Sequence, residues 1–193
     1  MTNSIDRIRH LKNGVFYGNS VLYWMVRDKR VSDNWALLEA QKIALENNVP
    51  LIVCFNYYNK YSQANNRHYQ FLFDGLKEVH SSLGELNIQF HLLQGKTDQA
   101  IPKFIDKYKV GHLVVDFSPL KVYKNRLNKV LQKTAIPVSQ VDAHNIVPVW
   151  QASEKKEFAA YTIRAKIIKL LPVDFTELPG VWGQALGWEV GRA

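Results

Sequence analysis

Cysteine is nearly missing from this sequence: Cys54 stands alone among 193 residues, so no internal disulfide can brace the fold. It lies inside the apolar run PLIVCF, where a small buried residue is expected rather than a reactive thiol. Long apolar runs are lacking too. None approaches the roughly 20 residues that cross a bilayer, and the amino terminus MTNSIDRIRHLKNG has no apolar stretch of the kind a secretory signal carries. Together these absences lead to the expectation of a cytoplasmic protein without a membrane partner. There is no internal repeat and no low-complexity linker. Several chemistries also lack their motifs. Without G-x-G-x-x-G or a Walker A sequence, ordinary dinucleotide and P-loop cradles are not expected. His144 has no second His or Cys at metal-ligand spacing. The segments HSS and FSP lack the glycines of a nucleophile elbow. No RNP motif, zinc spacing or heptad pattern is present. No residue is therefore nominated as catalytic.

What is present is an ordinary globular composition, 47% hydrophobic and 22% charged, enough for one domain with a real core. The formal charge is +8, and residues 101–170 hold 13 Lys and Arg against 5 Asp and Glu, which accounts for the whole excess. Such a bias suits an anionic partner such as DNA or a phosphorylated ligand, and equally suits solvated helix faces.

After about twenty residues read as an extension, the chain alternates. SVLYWMV, PLIVCFN, IQFHLL, GHLVVDF and IPVSQVDA read as strands, and helical stripes separate them. Asp33 or Asn34 caps the first helix. The third helix is expected to start close to Pro102. Ser118 reads as an N-cap with Pro119 at the first helical position. Five runs apolar on both faces, each followed by a helix, predict an α/β fold: a Rossmann-like, doubly wound, five-stranded parallel sheet of order 3-2-1-4-5, with helices on both faces. The expected organisation is an extension at 1–19, the α/β domain at 20–150, a helical linker at 151–178 and an atypical tail at 179–193. The linker helix is expected over Ser153 to Leu171, with Ala160, Ile163, Ile167 and Leu170 forming its apolar stripe.

In an open parallel sheet the ligand crevice lies at the carboxyl ends of the strands, above all where strand order reverses. VLYWMVRDKRVSDNWALLEAQ runs from an apolar strand straight into charge at such an end. The fourth strand ends in DFSP and the fifth in DAHN. Candidate binding residues are therefore Arg27, Asp28 and Arg30; Asp116 and Ser118; and Asp142, His144 and Asn145. The plain alternative is that the charges pair with one another or cap helices, and Asp33 is assigned to capping.

Three collinear stretches, VLYWMVRDKRVSDNWAL, DFSPL and QVDAHNIVPVWQASEKKEFAAYTIRAKI, resemble the amino-terminal domain of class II cyclobutane pyrimidine dimer DNA photolyases. The resemblance covers roughly residues 10 to 178, and its most specific parts are Asp-Asn-Trp after Arg-Asp and the Asp-Ala-His-Asn-Ile-Val-Pro run. It implies a Rossmann-like domain able to hold an antenna chromophore, a deazaflavin in this class. For the flat ring of such a group Trp24, Met25, Phe55 and Phe117 are the local candidates for apolar walls, although each also suits a sheet core. In the family a larger helical domain follows, which binds FAD and the flipped-out dimer and repairs DNA with light. The chain stops where that helical domain is expected, so none of the family's flavin, electron-transfer or lesion residues has a position here. The expectation is an antenna-type domain associated with DNA repair and inactive as an enzyme alone. The partners implied are DNA and a separately encoded helical FAD domain. The alternatives are a stand-alone interaction or nucleic-acid-binding module, in which Trp150, Val181 and Trp182 would engage a partner, and an inactive remnant.

Overall fold

A computed structural model describes residues 7–58, 64–155, 157–174, 180, 181 and 183. The chain forms β1 (Ile8–Lys12), β2 (Ser20–Met25), α1 (Trp35–Glu46), β3 (Leu51–Tyr57), α2 (Asn66–Glu85), β4 (Gln89–Gln94), α3 (Thr97–Lys107), β5 (Val110–Asp116), α4 (Lys121–Lys133), β6 (Val138–Val141), α5 (Val149–Ala152) and α6 (Ala160–Asp174). The sheet has six strands in the order β1-β6-β5-β2-β3-β4. β2, β3, β4, β5 and β6 pair in parallel, whereas β1 joins the β6 edge antiparallel, with Ile8 opposite Val141. A five-stranded sheet is thus not what forms. Residues expected to precede the domain supply an edge strand.

β1 escapes a hydrophobicity pattern because polar side chains hold it. The buried Arg7 guanidinium donates to the carbonyls of Asp142, Asn145 and Ile146, and the Asp142 amide returns a bond to the Arg7 carbonyl at 2.9 Å. Lys12 Nζ donates to the carbonyls of Leu131 and Thr134.

Strand alternation sorts the core into two layers. Val21, Tyr23, Met25, Val53 and Val114 pack with α1 and α2 through Leu37, Ala40, Val79 and Leu83. Leu22, Trp24, Ile52, Leu113 and Val115 pack with α3 and α4 through Ile101, Phe104, Leu127 and Val130. Cys54 is wholly buried in the second layer. Burial drives its thiol well above the usual range, so it is inert. The crossovers through α1 and α2 lie on one face and those through α3 and α4 on the other. The direction of winding therefore reverses between β2 and β5.

Helix starts decide one open choice in the sequence reading and correct it in two places. Asn34 caps α1, accepting from the amides of Ala36 and Leu37 at 3.1 and 3.0 Å, while Asp33 takes a left-handed conformation at φ 52°. α3 begins at Thr97, well ahead of Pro102. Pro102 has no N–H to offer the carbonyl four residues earlier, and that carbonyl, of Asp98, instead accepts from Lys133 Nζ at 2.9 Å. Ser118 does not cap α4, which begins at Lys121 with no side-chain cap. The ladder of β5 extends one residue further, Phe117 N donating to Val141 O at 2.7 Å, and this delays the turn into helix.

The expected helix starts later than Ser153. α5 ends at Ala152, and Ser153 Oγ donates to Glu157 Oε1 at 2.6 Å before α6 begins. Ile163, Ile167 and Leu170 are half-buried, but Ala160 is exposed. Of the expected tail, Val181 packs against the first core layer; Trp182 lies outside the described residues. No helix among those described is long and apolar enough to cross a membrane.

Candidate functional site

Parallel pairing brings the ends of β2, β5 and β6 to one rim. At its centre the Asp116 carboxyl, 2% exposed, collects three successive amides of the loop leaving β2. Val26 N donates to Oδ1 at 2.8 Å, and Arg27 N and Asp28 N donate to Oδ2 at 2.5 and 2.8 Å. Burial pushes the Asp116 carboxyl up to about 6, and the three amide donors oppose that rise. The carboxyl of one strand thus fixes the loop of its neighbour at the reversal of strand order.

The pinned loop presents Asp28, 7% exposed, toward the loop after β6. Asp28 Oδ1 lies 3.2 Å from His144 Nδ1. Its other oxygen, Oδ2, is buried without a hydrogen-bond partner, the one such side-chain atom among the described residues. A buried acceptor in that state costs about 1–3 kcal/mol. Lys29 sits beside it with Nζ 5.4 Å from the centre of the Phe55 ring. Partial burial lowers the Lys29 ammonium, and Asp116 and Asp28 counter that.

The third strand end is held from below. Asp142, fully buried, accepts from Asn145 N, from Asn145 Nδ2 and from Val149 N at 2.9 Å. These bonds shape the loop that carries His144. Alongside it Phe117 meets Trp150 edge-on at 5.7 Å, and the Arg9 guanidinium lies 4.3 Å over the Trp150 ring. Toward α4 the rim is filled: Trp24, Val26, Ser118, Tyr123 and Leu127 enclose a cavity of only about 10 Å³. A planar ring has no room on that side.

Of the residues nominated from sequence, the structure brings Arg27, Asp28, Asp116, Phe117, Ser118, Asp142, His144 and Asn145 to one rim. Asp116 and Asp142 are engaged in holding loops. Met25 is fully buried in the α1 layer and Phe55 is 7% exposed, so Met25 belongs to the core and Phe55 shows little more than an edge. Arg30 is exposed, and its carbonyl accepts from Asn34 Nδ2 at 3.0 Å. Sequence reasoning missed Arg7, Arg9 and Lys29 as rim residues. Lys29 lay within the quoted RDKR run; Arg7 and Arg9 carried no signal, because β1 has no apolar alternation to announce it.

The family model for DNA photolyase matches residues 21–179. The chain is 42% identical over 180 residues to a deoxyribodipyrimidine photo-lyase of Arabidopsis thaliana, covering 90% of this chain and 36% of that protein. It is 46% identical over 162 residues to the enzyme of the same name from Potorous tridactylus, covering 83% and 30%. The chain thus spans about a third of the length of the curated relatives it matches. In fold it is similar to a cryptochrome of Synechocystis sp. PCC6803, with TM-score 0.52 and 15% identity, over 59% of this chain and 24% of that one.

Proposed function

The chain belongs to the DNA photolyase family, and from that premise we propose that its rim holds an antenna chromophore of the deazaflavin type, in a protein of the class II group. The class assignment is supported by Arg27-Asp28 with Asp33-Asn34-Trp35, and by the run from Asp142 to Pro148. The proposed activity served is light-dependent repair of pyrimidine dimers in DNA. Flavin and lesion would be held by helical polypeptide of the kind that follows this domain in the family, with residues 151–178 leading to it. No residue of this chain is assigned to FAD.

The residues at the rim fit such a group. A deazaflavin has a flat ring, an imide edge and a hydroxylated chain, and sites for such ligands combine apolar walls with a few placed polar groups. Phe117 and Trp150 offer aromatic surface, Phe55 an edge, and Asp28, His144 and Lys29 offer polar contacts. When bound, the group supplies absorption at wavelengths that the protein itself does not absorb. The protein's part is to hold the ring and exclude water around it. The observation that carries the reading is the gathering of these groups at the reversal of strand order, with the buried Asp28 Oδ2 lacking a partner.

Adding a deazaflavin to the full chain, followed by gel filtration, is expected to leave roughly one chromophore per chain with a shifted absorption band. Light-driven dimer loss is expected only when an FAD-binding helical polypeptide is also supplied. A chain that emerges colourless sinks the reading.

A further inference from the structure

We propose that Asp28 is the residue that selects the rim's ligand, its Oδ2 accepting an N–H or O–H hydrogen that the ligand brings. The inference rests on the rim reading above and adds to it the atom that does the recognising. Buried polar atoms in folded proteins are nearly always paired, and Asp28 Oδ2 is the exception here. The neighbouring amide donors are already committed. The amides of Val26, Arg27 and Asp28 itself point to Asp116, the Asn34 amide serves Tyr23 and two carbonyls, and the exposed Lys29 side chain lies over Phe55 rather than against this oxygen. His144 meets the other oxygen, Oδ1, and so fixes the orientation of the carboxyl. Asp116 fixes the backbone beneath it. An acceptor built this rigidly, with one face left over, is what a site needs to reject ligands that lack the matching donor.

The donor has two sources on a deazaflavin, the ring imide N–H and the hydroxyls of the side chain. Titrations of the full-length chain with a deazaflavin, its imide N-methyl derivative and its analogue without the hydroxylated chain distinguish them. Asp28→Asn, which places a donor where the acceptor stood, is expected to weaken binding of the parent compound at least tenfold. One of the two modified ligands is expected to bind wild type as weakly as the parent binds the variant, and to lose nothing further on Asp28→Asn. Asp28→Leu tests whether the residue is merely structural: the proposal expects weakened binding with a melting temperature, ligand-free, that is unchanged or higher. Parent binding that is equal in wild type and both variants overturns the proposal and leaves the rim reading standing. Melting lowered by several degrees with binding intact overturns it as well. If wild type binds none of the three compounds, the rim reading fails and this inference with it.

Discussion

The two ends of strands β2 and β5 are built in opposite ways. At the amino end the backbones themselves touch. Asn19 N donates to Lys109 O at 2.7 Å, Ser20 Oγ donates to Tyr108 O at 3.1 Å, and Gly18 lies directly against Lys109 and Gly111. The Ser139 hydroxyl sits between His112 Nε2 at 2.8 Å and His10 Nδ1 at 3.2 Å. Among the described residues no buried side-chain polar atom there is left without a partner. At the carboxyl end the same strands diverge into loops that are held by buried carboxyls, and one carboxyl oxygen is left over. The amino end therefore carries fold stability through close approach, while the carboxyl end carries the geometry of the proposed ligand site.

The largest expected effect tests the first half of that contrast. A methyl group at Gly18 would lie 2.5 Å from the Lys109 carbonyl oxygen and closer still to Gly111 N. Both are backbone atoms, one in the turn before β5 and one in its first residues, and cannot swing away as a side chain would. Gly18→Ala is expected to cost about 3 kcal/mol or more in urea unfolding. Gly111→Ala meets the Phe16 ring instead, a half-buried side chain able to rotate, so a loss of about 1–2 kcal/mol is expected. Equal, small losses at both positions would show that the strands part freely here, and the contrast between the ends would collapse.

Asp116 tests the other end. Its carboxyl is raised to about 6 in the fold, against about 4 in an unfolded chain. Between those values the folded state keeps a proton that the unfolded state releases. Stability is therefore expected to fall as pH rises from about 4 to 6, by about 2 kcal/mol. Asp116→Asn removes the titration, and its unfolding free energy should change less over that window. A variant with the wild-type slope would mean that the three amides hold the carboxyl ionised throughout, and that the loop is pinned more tightly than burial suggests.

Much of this arrangement is legible in the sequence, and what is not has identifiable causes. Strands β2, β3, β5 and β6 announce themselves because they are buried on both faces, β4 reads as the apolar run IQFHLL although it is a partly exposed edge, and the charged strand ends fall at one rim because parallel strands point the same way. β1 is silent: IRHLK alternates nothing clearly apolar, and Arg7, His10 and Lys12 secure it through partners more than a hundred residues away. The sheet's sixth strand and its antiparallel edge were hidden for that reason. Ser118 carried a helix-cap signal that the extended ladder of β5 overrode. Asp28 was readable as a candidate but not as one with an unpaired oxygen, because the commitment of the nearby amide donors appears only in three dimensions.

The smallest expected effect separates the two ends by the sign of their response to acid. His112 is held down to about 4 by burial, with a smaller contribution from His10. Glu39, on α1, is coupled to His10 and is itself raised by burial. As pH falls from about 6.5 toward 4, the unfolded chain takes up a proton that His112 in the fold refuses, so stability present near neutrality is lost. His112 is partly exposed, and solvent screening reduces the expected loss to about 1 kcal/mol. The sign is opposite to that of Asp116 within an overlapping window, so in wild type the two responses partly cancel. The acid loss should emerge in Asp116→Asn and vanish again when His112→Gln, which retains a hydrogen-bonding side chain toward Ser139, is added. If the double variant still loses stability in acid to the same extent, the response belongs to other groups. The amino end would then lack the titrating contact that distinguishes it from the rim.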